Sequence, residues 1–346
     1  MNVQPGAGPS RRLRVSVLGA GAWGTTLALL VHEAGHEAAL VAHGADAATF
    51  LRRERRHPRS LPGVAIPDGI RIEHAGDHTL GEANVVIIAV PTQRLREAVS
   101  SFQEALTSPT ILCAAKGLEV GSLLRPSQVI ASVLGTGTDI GVLSGPNLSA
   151  EIAAGKPSST VIASIDTSVA ERLVPILHSM RFRTYVSNDV IGVEMGGALK
   201  NVIAIGAGIA DGLGAGDNAK AAFMTRGIAE IARLGVAAGA QPLTFAGLSG
   251  IGDLIATCAS PLSRNHQVGV GLATGRNLDD IVGDMVETAE GIATTRAARE
   301  LGKSLGVELP IVDQMYRVLF EGVAPLEALA RLMERDPRHE FTDLRP

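Results

Sequence analysis

Residues 13–36 read LRVSVLGAGAWGTTLALLVHEAGH, a short apolar strand followed by a glycine-rich turn and the start of a helix. Directly after the strand, Gly19, Gly21 and Gly24 form a GxGxxG pattern. In this context the first glycine permits a tight turn, the second lets the backbone approach a pyrophosphate, and the third lets the helix pack closely. The helix N-terminal amides then face the anion. The stretch predicts dinucleotide binding, and a purely structural glycine turn is the alternative.

Six further β-rich runs alternate with helical stretches before residue 189. They are EAALVAH, NVVIIAV, TILCAA, DIGVLSG, STVIAS and RTYVS. Such alternation is typical of a mostly parallel sheet with helices on both faces. We therefore expect a doubly wound, Rossmann-type domain over residues 13–189, preceded by a flexible lead of residues 1–12.

The β-rich runs stop after residue 189, and four long segments then have helical patterns. They are VIGVEMGGALKNVIAIGAGIA, NAKAAFMTRGIAEIARLGVAAG, LDDIVGDM and TTRAARELGKSLG. The first segment carries five glycines, each of which costs a helix up to about 1 kcal/mol relative to alanine, so close helix contacts must compensate. We expect an all-helical domain over residues 190–335 and a solvated tail over residues 336–346. The predicted fold class is therefore α/β plus all-α.

The net charge and the number of cysteines indicate which partners and which cellular compartment to expect. The 346 residues include 31 basic and 35 acidic side chains, so a net charge of -4 gives no reason to expect nucleic acid or an anionic membrane as a partner. Only Cys113 and Cys258 occur, which fits buried thiols in a reducing compartment. The apolar region 190–210 contains Glu194 and Lys200, so we predict no transmembrane span. We expect a cytoplasmic protein without a metal site.

The choice between NAD and NADP depends on the end of the second strand, where an acidic residue would bind the adenosine ribose. This chain has His43 and Gly44 there, and Asp46 lies slightly beyond. A 2′-phosphate is therefore tolerated or preferred if the arginines that follow face the cofactor. The alternative is that they form an exposed helix face. These arginines are Arg52, Arg53, Arg55 and Arg56.

Two further loops follow buried-type strands and carry polar groups to the carboxyl edge of the sheet. AAKGLE, residues 114–119, places Lys116 where a ligand of an open α/β sheet binds. An ordinary surface lysine is the alternative. SGPNLSAEIAAG begins at Ser144 and offers backbone amides near Gly145 and Asn147 at the start of a helix.

Lys200 lies in the glycine-rich helical segment GGALKNVIAIG, among residues that read as core. A lysine in such surroundings either extends its ammonium to solvent or has a polar partner. Desolvation would lower its pKa toward the range that suits proton transfer. Lys200 is therefore the candidate general acid and base.

A second polar cluster follows in GLSGIGDLIATCASPLSRNHQVG. Asp253 and Thr257 lie four residues apart and share one helix face. Ser263, Arg264 and Asn265 follow a proline-containing turn and combine a guanidinium with hydroxyl and amide groups, which suits a phosphate monoester. Asp253 either orients Lys200 or binds a substrate hydroxyl. Each residue also has an alternative interpretation as a helix cap or surface polar group.

Taken together, the motifs resemble the NAD(P)-dependent glycerol-3-phosphate dehydrogenases of the bacterial cytoplasmic type. The resemblance extends from Leu13 to about Gly322, and its most specific part is residues 198–265. It rests on GAGAWGTTLA, VPTQRLR, AAKGLE, LSGPNLSAEIAAG, ALKNVIAIGAGIADGLGAGDNAKAAFMTRGIAEI, GLSGIGDLIATCASPLSRN and AEGIATTRAA.

The resemblance implies an oxidoreductase that passes a hydride reversibly between NAD(P)H and dihydroxyacetone phosphate, giving sn-glycerol 3-phosphate for glycerophospholipid synthesis. Lys200 would accept the proton of the C2 hydroxyl and return it in the reverse direction. The implied substrate contacts are Lys116, Gly145, Asn147, Lys200, Asp253, Ser263, Arg264 and Asn265. The implied cofactor contacts are Gly19, Gly21, Ala22, Trp23, Gly24, His43, Lys116, Ser149, Arg264, Thr288 and Glu290.

The chain departs from the family pattern at several positions. Ala22 replaces the commoner serine, Asn147 stands where serine or threonine is usual, and Thr288 occupies a usually apolar position. Glu287 offers an alignment that competes with Glu290, and GIATTRAA in register after Glu290 favours the latter.

Two other functions remain as alternatives. A β-hydroxyacid or 6-phosphogluconate type dehydrogenase would share both halves of the fold, but the triplet of residues 263–265 favours a small phosphate ester over a carboxylate. A catalytically silent nucleotide sensor would keep the glycine turn but would not need Lys200 with Asp253. Helices rich in small residues with apolar faces predict a homodimer built on the helical half.

Overall fold

The structure, a computed structural model, describes residues 12–75, 80–106 and 109–334. Apart from Arg12, the predicted N-terminal lead and C-terminal tail lie outside the described residues. The strands are β1 (Arg14–Leu18), β2 (Glu37–Ala42), β3 (Arg56–His57), β4 (Leu61–Ala65), β5 (Arg71–His74), β6 (Val85–Ile88), β7 (Thr110–Cys113), β8 (Ile140–Ser144), β9 (Ser158–Ala163) and β10 (Phe182–Ser187). The α-helices are α1 (Ala22–Glu33), α2 (Ala45–Glu54), α3 (Thr92–Ser101), α4 (Pro126–Leu134), α5 (Ser149–Ala153), α6 (Thr167–Leu177), α7 (Val190–Gly212), α8 (Asp217–Ala237), α9 (Asp253–Ala259), α10 (Arg264–Ala273), α11 (Leu278–Asp284), α12 (Glu290–Leu305), α13 (Pro310–Phe320) and α14 (Pro325–Met333).

One sheet of eight strands, in the order β10-β9-β8-β7-β6-β1-β2-β5, forms the first half of the chain. Every neighbouring pair is parallel except β8 and β9, which run antiparallel. All seven predicted runs form strands of this sheet. The chain goes outward from β1 to β2 and β5 and then returns to β6 on the other side of β1. The carboxyl ends of β1 and β6 therefore define the topological switch point where such sheets bind ligands.

Helices cover both faces of this sheet, as the doubly wound prediction requires. In β6, Val85 and Ile87 pack in the core that includes α1 and α6. The alternate residues Val86 and Ile88 pack in a separate core with α3 and α4. Because successive side chains of a strand point to opposite faces, both faces are buried. This explains why the strands read as continuous apolar runs.

Helix α7 is the centre of the second half, where α8, α9, α10, α12 and α13 pack around it. A Cβ added at Gly208 would lie 2.0 Å from the carbonyl oxygen of His266, and one at Gly269 would lie 2.0 Å from that of Ile205. Helices α7 and α10 therefore touch backbone to backbone. The close helix contacts expected from the glycines are confirmed.

Burial also accounts for the apolar composition of α7 and for the two cysteines. Among the described residues, α7 is the one helix with the length and hydropathy of a membrane span, and 94% of its most apolar window is buried inside the fold. Cys113 and Cys258 are free and buried, as expected. In the described part of the chain, no three His, Cys, Asp or Glu side chains are placed to hold a metal ion.

Candidate active site

The glycine turn joins β1 to α1 at the switch point of the sheet. Gly19 has a φ of +113°, and a Cβ there would lie 2.6 Å from the carbonyl oxygen of Ala89, at the end of β6. A Cβ at Gly24 would lie 1.7 Å from the carbonyl oxygen of Gly19, so α1 packs directly onto the turn. Gly21 precedes α1 and supplies no side-chain cap. The turn therefore presents backbone donors at a helix start, the arrangement that binds a pyrophosphate.

A carboxylate of the chain itself lies at this helix start. The Ala22 amide donates to Oε1 of Glu287 over 2.7 Å. The other carboxylate oxygen of Glu287 lies 3.1 Å from Nη1 of Arg264, which also donates to the Thr288 carbonyl oxygen over 2.9 Å. Three predicted ligand contacts, Ala22, Arg264 and Thr288, therefore meet around Glu287. The sequence alone offers this glutamate only as an alternative to Glu290.

Lys200 lies in α7 and is only 7% exposed. Its Nζ donates to Oδ1 of Asp253 and, over 2.8 Å, to the hydroxyl of Thr257. Burial lowers the pKa of Lys200 to about 8, although the Asp253 charge opposes this shift. The side chain thus has buried polar partners rather than a solvated ammonium, and its pKa lies in the range useful for proton transfer.

Asp253 binds a second lysine from the other half of the chain. Its Oδ2 accepts a hydrogen bond from Nζ of Lys116 over 2.8 Å, and the same Nζ donates to the carbonyl oxygen of Gly145 over 2.9 Å. One carboxylate, 1% exposed, thus bridges two ammonium groups. Four predicted substrate contacts from four separate segments, namely Lys116, Gly145, Lys200 and Asp253, form one hydrogen-bonded cluster. We call this the lysine cluster, with Thr257 as a fifth member.

Asn265 joins three helices next to the lysine cluster. Its amide donates to Oδ1 of Asn201 over 2.9 Å, and its Oδ1 accepts from the Gly291 amide over 2.9 Å. The Asn201 amide donates in turn to the carbonyl oxygen of Lys116 over 3.4 Å. Ser263 caps α10, because its hydroxyl accepts from the His266 amide over 3.3 Å. The alternative interpretation of Ser263 as a helix cap is therefore confirmed.

Asn147 and Ser149 follow β8 but have separate partners. The Asn147 amide donates to the Ser159 carbonyl oxygen over 3.2 Å, and its Oδ1 accepts from the Thr160 hydroxyl over 3.1 Å. Asn147 therefore links the segment after β8 to β9. The carbonyl oxygen of Ser149, at the start of α5, accepts from the Thr26 hydroxyl of α1 over 3.3 Å.

The arginines after β2 divide into two groups. Arg52 and Arg55 bind backbone carbonyl oxygens, over 2.8 Å to Ile72 and 2.7 Å to Pro67, so they hold the segment that follows α2. Arg53 and Arg56 are exposed and pair with Glu54. His43 is exposed directly after β2. Arg53 and Arg56 therefore place positive charge on the surface of this segment, whereas Arg52 and Arg55 hold its backbone.

Three buried polar atoms beside the switch point have no hydrogen-bond partner, namely Nε1 of Trp23, Oγ1 of Thr92 and Oε2 of Glu290. The other oxygen of Glu290 accepts from the Thr92 amide over 2.8 Å, and burial raises the pKa of this carboxyl. Buried polar atoms normally have partners, so free ones at a ligand-binding edge fit a polar ligand. Sequence reasoning missed Thr92, although it follows Pro91 at the helix start that the VPTQRLR motif contains.

These features fit a dinucleotide. The tight glycine turn presents a helix start that binds an anion, which in this structure is the Glu287 carboxylate. Trp23 and Glu290 offer a donor and an acceptor at the same sheet edge. The lysine cluster lies at the carboxyl ends of β7 and β8. A cofactor along the switch point and a small anionic substrate at the lysine cluster would therefore be neighbours.

Comparisons with known proteins cover both halves of the chain. Residues 14–170 match the N-terminal family of NAD-dependent glycerol-3-phosphate dehydrogenase, and residues 189–330 match its C-terminal family. A glycerol-3-phosphate dehydrogenase [NAD(P)+] of Prosthecochloris aestuarii is 46% identical over 331 residues, covering 94% of this chain and 99% of the relative. One from Geobacillus kaustophilus is 45% identical over 333 residues, covering 95% and 97%.

A solved structure gives the same result for the fold. The crystal structure of glycerol-3-phosphate dehydrogenase from Coxiella burnetii superposes with a TM-score of 0.90 at 34% identity, covering 94% of this chain and 99% of that one. The matches span both halves of the chain and nearly the full length of these relatives. The chain therefore belongs to the NAD-dependent glycerol-3-phosphate dehydrogenase family.

Proposed function

We propose that this chain transfers a hydride reversibly between NAD(P)H and dihydroxyacetone phosphate, giving sn-glycerol 3-phosphate, with Lys200 as the proton donor and acceptor. The observation that carries the proposal is the buried lysine cluster beside the dinucleotide turn. The relatives named above are glycerol-3-phosphate dehydrogenases [NAD(P)+]. We assign residues 13–189 to a dinucleotide-binding domain and residues 190–335 to a substrate domain.

Lys200 has the position and the pKa for the proton half of the reaction. The bound nicotinamide supplies or takes up the hydride at C2. During reduction the Lys200 ammonium donates a proton to the C2 oxygen, and during oxidation the neutral amine accepts the proton of the C2 hydroxyl. A pKa of about 8 keeps both forms accessible near neutral pH.

Asp253 holds both lysines in position and favours the charged form of Lys200. Its two oxygens hold Nζ of Lys200 and Nζ of Lys116, whose mutual repulsion would otherwise separate them. The Asp253 charge raises the pKa of Lys200 and the Lys116 charge lowers it, with burial as the largest influence. The Thr257 hydroxyl accepts from Nζ of Lys200 and donates to the Asp253 carbonyl oxygen over 2.6 Å, so it fixes the ammonium in place.

Arg264 is our candidate for the substrate phosphate. It begins α10, and its side chain is 44% exposed, so the guanidinium can be reached from solvent. Ser263 and Asn265 flank it at the same helix start. A guanidinium offers paired donors to phosphate oxygens, and a helix start adds backbone donors. Lys116 then carries a second positive charge toward the same substrate.

The cofactor would be held by the glycine turn and by the polar groups at the switch point. We assign Gly19, Gly21, Ala22 and Gly24 to the pyrophosphate and leave Trp23, Ser149, Thr288 and Glu290 for the ribose and nicotinamide. His43 and the exposed Arg53 and Arg56 lie after β2, where the adenosine ribose would be bound, so we propose that either NADH or NADPH serves.

Three further features belong to the proposal. We place the protein in the cytoplasm, supplying glycerol 3-phosphate for glycerophospholipid synthesis. We also propose a homodimer built on the helical half, supported by exposed apolar side chains there that include Leu243 and Leu326. Sedimentation equilibrium at assay concentration should give twice the monomer mass. A monomer mass throughout would reject the dimer.

The reaction is tested by following absorbance of the reduced nicotinamide while dihydroxyacetone phosphate is added with NADH or NADPH. We expect rapid loss of absorbance with at least one cofactor, and the ratio of the two kcat/KM values gives the preference. Dihydroxyacetone, which lacks the phosphate, is the matched control and should react far more slowly. Folded protein that oxidises neither cofactor would contradict the proposal and point to hydroxyacid substrates.

A further inference from the structure

Glu287 holds two groups that the proposed reaction needs for its ligands. One carboxylate oxygen accepts from the Ala22 amide at the start of α1, and the other pairs with Nη1 of Arg264. An added Cβ at Gly21 would lie 3.2 Å from the same Oε1, so the carboxylate also lies against the second glycine of the turn. An anion of the chain therefore already binds the pyrophosphate donors.

The loop that carries Glu287 is a surface connection between α11 and α12. It spans residues 285–289 and lies outside regular helix and strand. Its neighbours Val286 and Thr288 are exposed, and the Glu287 side chain is 22% exposed. Glu287 can therefore move away without disturbing the core.

Two anions cannot use these donors together. Like charges within about 4 Å of each other repel by several kcal/mol at an intermediate dielectric, and the Ala22 amide has a single hydrogen to donate. A pyrophosphate that takes the glycine turn must therefore displace the Glu287 carboxylate. Because the same carboxylate pairs with Arg264, its displacement also removes the partner of that guanidinium.

We propose that Glu287 is an internal competitor for the cofactor pyrophosphate, and that its displacement releases Arg264 to bind the substrate phosphate. This inference rests on the proposed function, in which Arg264 contacts that phosphate. Glu287 weakens dinucleotide binding and makes the phosphate site available only after the dinucleotide has bound. The two ligands are thereby coupled through one side chain.

The first test measures dinucleotide affinity directly, without turnover. NADH and NADPH are titrated into wild type, Glu287→Gln and Glu287→Ala, with quenching of Trp23, the only tryptophan, as the signal, and with calorimetry as a check. Loss of a competing charge-assisted hydrogen bond should tighten Kd by about tenfold. Asp284→Asn is the matched control, because it removes the same charge from a residue that pairs with Arg276 over 2.5 Å; its Kd should stay at the wild-type value.

The second test measures the coupling with inorganic phosphate as the probe. Phosphate binding to the protein alone is followed by the shift of Tm with phosphate concentration. Glu287→Gln should bind phosphate at least about fivefold more tightly than wild type, and adding Arg264→Ala should abolish that gain.

Either an unchanged or weaker dinucleotide Kd in both Glu287 variants, or a phosphate affinity that does not respond to Glu287, would overturn the inference. These are binding measurements, so they stay separate from failure of the proposed reaction. A protein that fails to reduce dihydroxyacetone phosphate but gains dinucleotide affinity in Glu287→Gln would contradict the function while keeping the competition.

Discussion

Two carboxylates in the helical half, Asp253 and Glu230, are buried to nearly the same depth but bind different partners. Asp253 is 1% exposed and lies between the ammonium groups of Lys116 and Lys200. Glu230 is 3% exposed and accepts from the backbone amides of Ile311 and Val312, over 3.0 and 2.9 Å.

The partners explain why we assign one acid to the proposed active site and the other to the scaffold. Leu309 precedes α13 without a side-chain cap, so Glu230 of α8 satisfies amides that the helix start leaves unpaired. Asp253 instead binds two groups that can exchange protons or bind anions. Burial of a charge alone does not identify a site, because the chemistry of its partners decides what the charge does.

The largest expected effect is on catalysis by Lys200→Ala. This variant should lower kcat by about two orders of magnitude or more, because it removes the proposed proton donor. The dinucleotide Kd, measured by Trp23 quenching, should stay within about twofold of wild type. Lys303→Ala, which changes an exposed lysine of α12, is the control and should retain wild-type kcat. Near-normal turnover by Lys200→Ala would remove Lys200 from the mechanism.

Asp253→Asn tests, through the pH dependence of kcat, whether Asp253 sets the pKa of Lys200. Reduction needs protonated Lys200, so its rate falls as pH rises through the pKa of about 8. The Asp253 charge raises that pKa, so its removal should move the falling limb to lower pH. The kcat at pH 8 should then drop by up to about tenfold for each pH unit that the limb moves. A kcat profile with an unmoved limb would show that Asp253 does not set the proton affinity.

Glu230→Ala tests whether Glu230 stabilises the fold and takes no part in the reaction. Loss of the carboxylate leaves two buried amides of α13 without their acceptors, which should lower the free energy of unfolding by about 2–4 kcal/mol. Urea unfolding gives this value, and kcat of the folded fraction should stay within about twofold of wild type. A stable variant with impaired kcat would place Glu230 in the active site instead.

A pH-dependent difference in stability is expected between wild type and Glu230→Gln. Burial raises the pKa of Glu230 from 4.5 to about 7, so the folded protein holds a proton there that the unfolded chain has released. Between these values the free energy of unfolding of wild type should therefore fall with rising pH relative to Glu230→Gln, and the difference should be constant above about pH 7. A difference in the free energy of unfolding that does not change with pH would mean that Glu230 of the folded protein is already charged over this pH range.

The sequence predicted the strands of the sheet better than their directions. All seven β-rich runs are strands. The runs in the middle of the sheet are continuously apolar because a parallel sheet is buried on both faces. The short strands β3, β4 and β5 were missed, since RHPRSLPGVAIPDGIRIEH has prolines, glycines and charges instead of an apolar run. The antiparallel pairing of β8 with β9 follows from the path of their connection, and no local pattern encodes it.

For the site, the sequence predicted residue types better than contacts. A lysine among core residues indicated desolvation at Lys200, which the structure has. The bridge from Asp253 to Lys116 joins residues 137 positions apart. Only the packing of α7 against β8 and of α9 against α7 brings them together. Glu287 could not be assigned to the glycine turn, because a surface loop has no periodicity that fixes its direction.

The role of Lys200 in proton transfer is tested by kcat/KM for both directions of the reaction, measured between pH 6 and 9.5. We expect opposite limbs with a shared pKa of about 8, because reduction of the ketone needs Lys200 protonated and oxidation of the alcohol needs it neutral. Flat profiles, or limbs that run in the same direction, would contradict Lys200 as the group that moves the proton.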